Sequence, residues 1–106
     1  MNEQIIKELF TILTQRKKIS EKQSYTSYLI KNPKILAKKI GEESSELIID
    51  FLKKDKQGVI NESADLIYHI LVIWVFLGIN PQDIWNELSS RKLKSGIEEK
   101  KNRGEK

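Results

Sequence analysis

The sequence contains no cysteine, which excludes a disulfide framework, a thiolate nucleophile and a thiolate metal site. Its single histidine, His69, excludes a paired-histidine zinc centre. No P-loop, GxGxxG or Ser-His-Asp set is present. The longest apolar run, Leu66 to Ile79, is interrupted by Tyr68 and His69 and is read as a core helix too short to span a bilayer. Asn2, Glu3, Gln4, Lys7 and Glu8 break up Met1 to Phe10, so no signal-peptide core is expected there. These absences predict a cytoplasmic protein with no membrane partner. No stretch alternates with a two-residue period and no internal repeat occurs, so strands are not expected.

What is present is helical periodicity. The 106 residues are read as one all-α domain, a bundle of four to five helices built on a central antiparallel hairpin, with a charged tail over 94–106. A first amphipathic helix runs from residue 2 to about 16 and carries Ile5, Ile6, Leu9, Phe10, Ile12 and Leu13. A short helix or turn follows from Ser24-Tyr25-Thr26, where Ser24 or Thr26 is an N-cap or a phosphate or base contact. Both prolines follow asparagine, and Asn32-Pro33 and Asn80-Pro81 read as cap-plus-proline helix starts. Helices are therefore predicted from Pro33 to about Lys53, from Lys56 to Leu77 after a turn capped by Asp55, and from Pro81 to about Leu93. Gly78 is the expected left-handed terminator of the helix from Lys56 to Leu77, and Ile84, Trp85 and Leu88 are expected to face the core.

Two acidic clusters, Glu42-Glu43-Ser44-Ser45-Glu46 and Glu62-Ser63-Ala64-Asp65, lie inside otherwise apolar helical stretches. At about 100° per residue, Leu36, Ile40, Leu47 and Phe51 share a stripe with Glu43 in its middle, flanked by Lys39, Glu46 and Asp50. On the next helix Glu62, Asp65, His69, Val72 and Phe76 form one seam, with Leu66, Ile70, Ile73 and Leu77 as the other inward residues. In an antiparallel hairpin turning near Lys54-Asp55, Glu46 faces Glu62, Glu43 faces Asp65 and Lys39 faces His69. Carboxylates crowded in this way repel strongly unless protonated, paired or bound to a cation. Oxygen-only ligands favour a hard ion, Mg²⁺ with Mn²⁺ as the substitute, and such an ion suits phosphate chemistry. Glu43, Glu46, Glu62 and Asp65 are the predicted ligands. Glu42, read as an i,i−4 partner of Lys38, or Glu46 is the candidate general base. Lys39, Lys38 and Arg16 are the candidate phosphate contacts, and Tyr25, Thr26 and His69 are further candidate substrate contacts. The net charge of +4, concentrated in Arg91 to Lys106, suits an anionic substrate; a non-catalytic helical module binding RNA or protein is the competing reading.

The elements Ser24-Tyr25-Thr26, Lys39-Ile40-Gly41-Glu42-Glu43-Ser44-Ser45-Glu46, Glu62-Ser63-Ala64-Asp65-Leu66-Ile67-Tyr68-His69 and Ser95-Gly96-Ile97-Glu98-Glu99-Lys100 give the sequence a family likeness. It resembles the phosphoribosyl-ATP pyrophosphohydrolases of histidine biosynthesis, within the all-α nucleotide pyrophosphohydrolases related to MazG. The resemblance covers about Leu9 to Arg103. It implies Mg²⁺-dependent hydrolysis of phosphoribosyl-ATP to phosphoribosyl-AMP and pyrophosphate, with Glu43, Glu46, Glu62 and Asp65 as ligands and Glu42 beside them. It also implies a homodimer, with a small-molecule substrate and no nucleic acid as partner. A housecleaning pyrophosphohydrolase for other nucleoside triphosphates shares the same metal site. One departure is Lys31-Asn32-Pro33, where the family pattern suggests a glycine.

Overall fold

A computed structural model describes residues 4–92, and the Ser95-to-Lys100 element and the charged tail lie outside the described residues. Within these described residues five helices follow one another: α1 Gln4–Arg16, α2 Tyr25–Lys31, α3 Pro33–Leu52, α4 Lys56–Leu77 and α5 Pro81–Arg91. Among the described residues there is no strand. The helices α3 and α4 form the antiparallel hairpin, α1 and α2 pack against α4, α2 also meets α3, and α5 packs on α1.

The α3–α4 turn is compact because each of its residues satisfies an orphaned helix-end group. The Asp55 N–H donates to the Asp50 carbonyl and the Lys54 N–H to the Phe51 carbonyl, both at 3.0 Å. These two bonds make a Schellman closure in which Lys54, at φ 58°, takes the left-handed position usually given to glycine. Asp55 then caps α4, accepting the Gly58 N–H at 3.0 Å. A side chain at Gly58 would meet the Asp50 carboxylate at 2.6 Å, which places Asp50 opposite Gly58 in the hairpin. At the far end of α4, Gly78 has φ 70° and the Ile79 N–H donates to the Trp74 carbonyl at 2.8 Å. Asn80 caps α5 through the Gln82 N–H at 2.9 Å.

The core is narrower than the sequence stripes suggest. Leu13, Leu29, Ile30, Leu36, Leu71, Val72 and Val75 are buried, with Ile6, Leu9, Phe10, Tyr28, Ile35, Tyr68, Ile73 and Trp74 packed around them. The inward face of α4 is set by Leu71, Val72 and Val75 rather than by Phe76 and Leu77, which are exposed. Phe51, expected on the inner stripe of α3, is 68% exposed, because the hairpin tip projects beyond α1 and α2. Trp85 and Leu88 of α5 are also exposed, although the Trp85 ring meets Trp74 edge-on with centroids 6.2 Å apart. By length and composition, the 22 residues of α4 are sufficient to cross a bilayer, more than the shorter apolar run predicts. Here α4 is the element on which α1, α2 and α3 converge.

A candidate metal centre between two helices

The acidic residues come together because the hairpin aligns one turn of α3 with one turn of α4. One carboxylate oxygen from each of Glu43, Glu62 and Asp65 lies within 4.8 Å of the others. Glu62 also lies against Glu46, which approaches from the next turn of α3. The predicted facing of Glu46 with Glu62 and Glu43 with Asp65 is thus reproduced, while Glu46 stays outside the three-oxygen group and is exposed.

Glu43 Oε2 and Glu62 Oε2 are buried without a hydrogen-bond partner among the described residues. A buried carboxylate oxygen in that condition is costly, and a cation or a proton relieves it. Opposed ligands of an octahedral Mg²⁺ at about 2.1 Å are separated by about 4.2 Å, so a three-oxygen group of this span admits one such ion after slight contraction. The donor set is all oxygen, as a hard ion requires. The residues therefore fit a divalent cation.

Without an ion, a proton takes its place. The Glu62 carboxyl is pushed up from 4.5 to about 8, first by its contact with the Glu43 carboxyl, then by desolvation, then by Glu46. The folded protein thus holds this proton at pH values where the unfolded chain has lost it, and the resulting stabilisation, complete below 4.5, disappears as pH rises to about 8. Thermal unfolding of the metal-free protein is expected to move to lower temperature across that window. Added Mn²⁺ should raise it most at the alkaline end. A melting temperature that stays level or climbs between those limits would show that Glu62 is not crowded in this way.

Around the acids, the candidate contacts are unequally placed. Lys39 pairs with Glu42 at 3.6 Å, an i,i+3 contact between half-exposed side chains, so Glu42 is not held by Lys38 as the i,i−4 spacing suggested. Lys38 is exposed on α3, and Arg16, also exposed, ends α1 with its charge close enough to Tyr68 to oppose the rise that burial gives the Tyr68 hydroxyl.

The start of α2 is clipped to the middle of α4 by two adjacent bonds. Ser24 is the N-cap, accepting the Ser27 N–H at 3.2 Å, which leaves Thr26 free for another role. The Thr26 hydroxyl is buried and bonds the Tyr68 hydroxyl at 2.7 Å. Next to it, the Tyr25 hydroxyl lies 3.2 Å from His69 Nε2. His69 is 6% exposed, and its Nδ1 lies 2.7 Å from the Asp65 backbone carbonyl. A carbonyl can only accept, so Nδ1 carries the proton and Tyr25 donates to Nε2. The Tyr25 ring is 47% exposed and lies nearly parallel to Tyr68, with centroids 6.1 Å apart. Burial raises the Tyr25 hydroxyl against the pull of Lys39, with Glu43 adding to the rise, which places the ring at the rim of the acidic group. Sequence spacing contains no signal for the Tyr25–His69 and Thr26–Tyr68 bonds, which join residues 44 and 42 positions apart.

Comparison with known proteins agrees with this arrangement. The family model described as phosphoribosyl-ATP pyrophosphohydrolase matches residues 6–92, which include all four ligand candidates. A phosphoribosyl-ATP pyrophosphatase of Paramagnetospirillum magneticum is 40% identical over 103 residues, covering 96% of this chain and 94% of the relative. One of Sulfolobus acidocaldarius is 41% identical over 95 residues, covering 89% of this chain and all of the relative. A third, from Granulibacter bethesdensis, is 38% identical over 101 residues, covering 94% of this chain and 63% of the relative. With its acidic hairpin and a match along nearly its whole described length, the chain belongs to the phosphoribosyl-ATP pyrophosphohydrolase family.

Proposed function

We propose that the protein hydrolyses phosphoribosyl-ATP to phosphoribosyl-AMP and pyrophosphate in the second step of histidine biosynthesis, in the cytoplasm. The observation that carries this reading is the convergence of Glu43, Glu62 and Asp65, two of them with orphaned buried oxygens, in a chain of this family. Held by these three, and by Glu46 if it closes in, Mg²⁺ or its substitute Mn²⁺ would supply positive charge against the triphosphate. Water adds to phosphorus at the α–β anhydride, the bridging bond breaks, and the β and γ phosphates leave together as pyrophosphate. Glu46, exposed and outside the three-oxygen group, takes the proton that the attacking water gives up. Glu42, which pairs with Lys39, is the alternative base. Exchange of that pairing for a substrate phosphate would turn Lys39 into a positioning charge, with Lys38 and Arg16 as further cationic contacts. Tyr25 forms the wall nearest the substrate, whereas Thr26 and His69 support it from within.

Pyrophosphate release from phosphoribosyl-ATP tests the reading directly. EDTA is expected to reduce it to background and excess Mg²⁺ to restore it. Equal rates with and without chelator would reject a metal-dependent reaction.

A homodimer is part of the same proposal. Ile48, Ile49, Phe51 and Leu52 of α3 and Ile60 and Ile67 of α4 are exposed large apolar side chains. Around the hairpin tip, Phe51, Val59 and Ile60 line a groove of about 560 Å³ with Lys54, Asp55 and Lys56 at its edge. Contiguous apolar surface of this kind, rimmed by charge, supports association with a second copy.

A further inference from the structure

Asp65 is the exposed member of the three-carboxylate group, and among the described residues no side chain hydrogen-bonds its carboxylate. Among the described residues the one side chain that bonds Asp65 does so at its backbone carbonyl, and it is His69, at 2.7 Å. His69 lies one helical turn further along α4, and a helical side chain leans toward the N-terminus, so the imidazole sits over the turn that presents Asp65. That ring is itself held tightly. Tyr68 packs edge-on against it with centroids 4.9 Å apart, and Tyr25 does so at 6.0 Å. Because Nδ1 is committed to the carbonyl, the buried Nε2 retains a bare lone pair, and the Tyr25 hydroxyl is its partner among the described residues.

We infer that Tyr25 is a positioning residue for the metal centre: through the His69 imidazole it fixes the turn of α4 from which Asp65 projects. The inference rests on the metal-binding reading above and adds to it a residue that is no ligand. Loss of the Tyr25 hydroxyl leaves Nε2 buried and unpartnered, so the imidazole turns to find another donor and releases its hold on the Asp65 carbonyl. The carboxylate then samples positions outside the three-oxygen group, and an ion is bound less tightly. Tyr68 provides a matched comparison, since its hydroxyl makes the neighbouring bond to Thr26 and none to His69.

Direct Mn²⁺ titration of the purified protein, with free ion followed by electron paramagnetic resonance, tests this without reference to activity. Tyr25→Phe is expected to weaken Mn²⁺ binding by roughly 10-fold, the lower limit of what removal of an outer partner costs a metal site. Tyr68→Phe should leave the affinity within about twofold of wild type, inside the additivity error expected for an uncoupled site. His69→Phe keeps a ring and removes both nitrogens, and should weaken binding as much as Tyr25→Phe. The double variant should be no worse than either single one, because both act through one relay. Wild-type affinity in Tyr25→Phe, equal losses in Tyr25→Phe and Tyr68→Phe, or additive losses in the double variant would each overturn the relay alone. No Mn²⁺ binding by the wild-type protein would overturn the metal reading beneath it.

Discussion

Substitution of Glu43 by glutamine is expected to lower kcat/KM for phosphoribosyl-ATP by more than about 100-fold, the upper limit seen when only an outer partner of a metal ligand is removed. The reason is positional. Glu43 contributes to the three-oxygen group and owns one of its two orphaned buried oxygens, so its charge has no stand-in on α3. Glu46 lies one turn away but is outside the group, and Glu42 is engaged by Lys39. The same substitution keeps a side-chain oxygen that can accept from the protonated Glu62 carboxyl and removes the charge beside it, so the metal-free variant should be no less stable than wild type, and thermal unfolding can be measured on the same sample. Loss of activity with an unchanged or raised melting temperature is the expected pair of results. Activity within a few fold of wild type would mean that the acids are not the catalytic centre, and a lowered melting temperature would mean that Glu43 is structural.

The second large effect concerns the hairpin tip. Phe51→Glu is expected to convert a dimer into a monomer in sedimentation velocity at micromolar concentration, and to remove the concentration dependence of thermal unfolding. Phe51 is 68% and Leu52 72% exposed, and Ile60 beside them is 60% exposed. A stable interface needs about 800 Å² from each partner, and in the proposed dimer these side chains with Ile48, Ile49 and Ile67 would supply its apolar centre. A glutamate there would be desolvated without a counter-charge at the centre of the contact. Wild-type protein that sediments as a monomer throughout would end the dimer proposal, and a Phe51→Glu protein that remains dimeric would move the interface elsewhere.

The hairpin and its acids were legible in the sequence because they follow from two regularities: the helical period places Glu43 on the apolar stripe, and antiparallel numbering pairs α3 with α4. Asp50 opposite Gly58 obeys the same numbering. The Asp55 cap and the Gly78 stop were legible for similar local reasons. Asn32 was only half legible. It stands at the start of α3 as expected, but its amide donates to the Tyr28 carbonyl at 2.8 Å instead of capping α3, because the same residue also terminates α2. Phe51, Phe76 and Trp85 were misplaced because periodicity identifies a face without saying how far the neighbouring helices extend along it. Bonds between α2 and α4 depend on how a short helix docks across a long one, and no spacing within either helix contains that information.

Asn32 also has a mechanical meaning. Since α2 ends and α3 begins on this one residue, no flexible linker separates the arm that carries Tyr25 from the arm that carries Lys38 and Lys39, and their relative placement is set at a single joint.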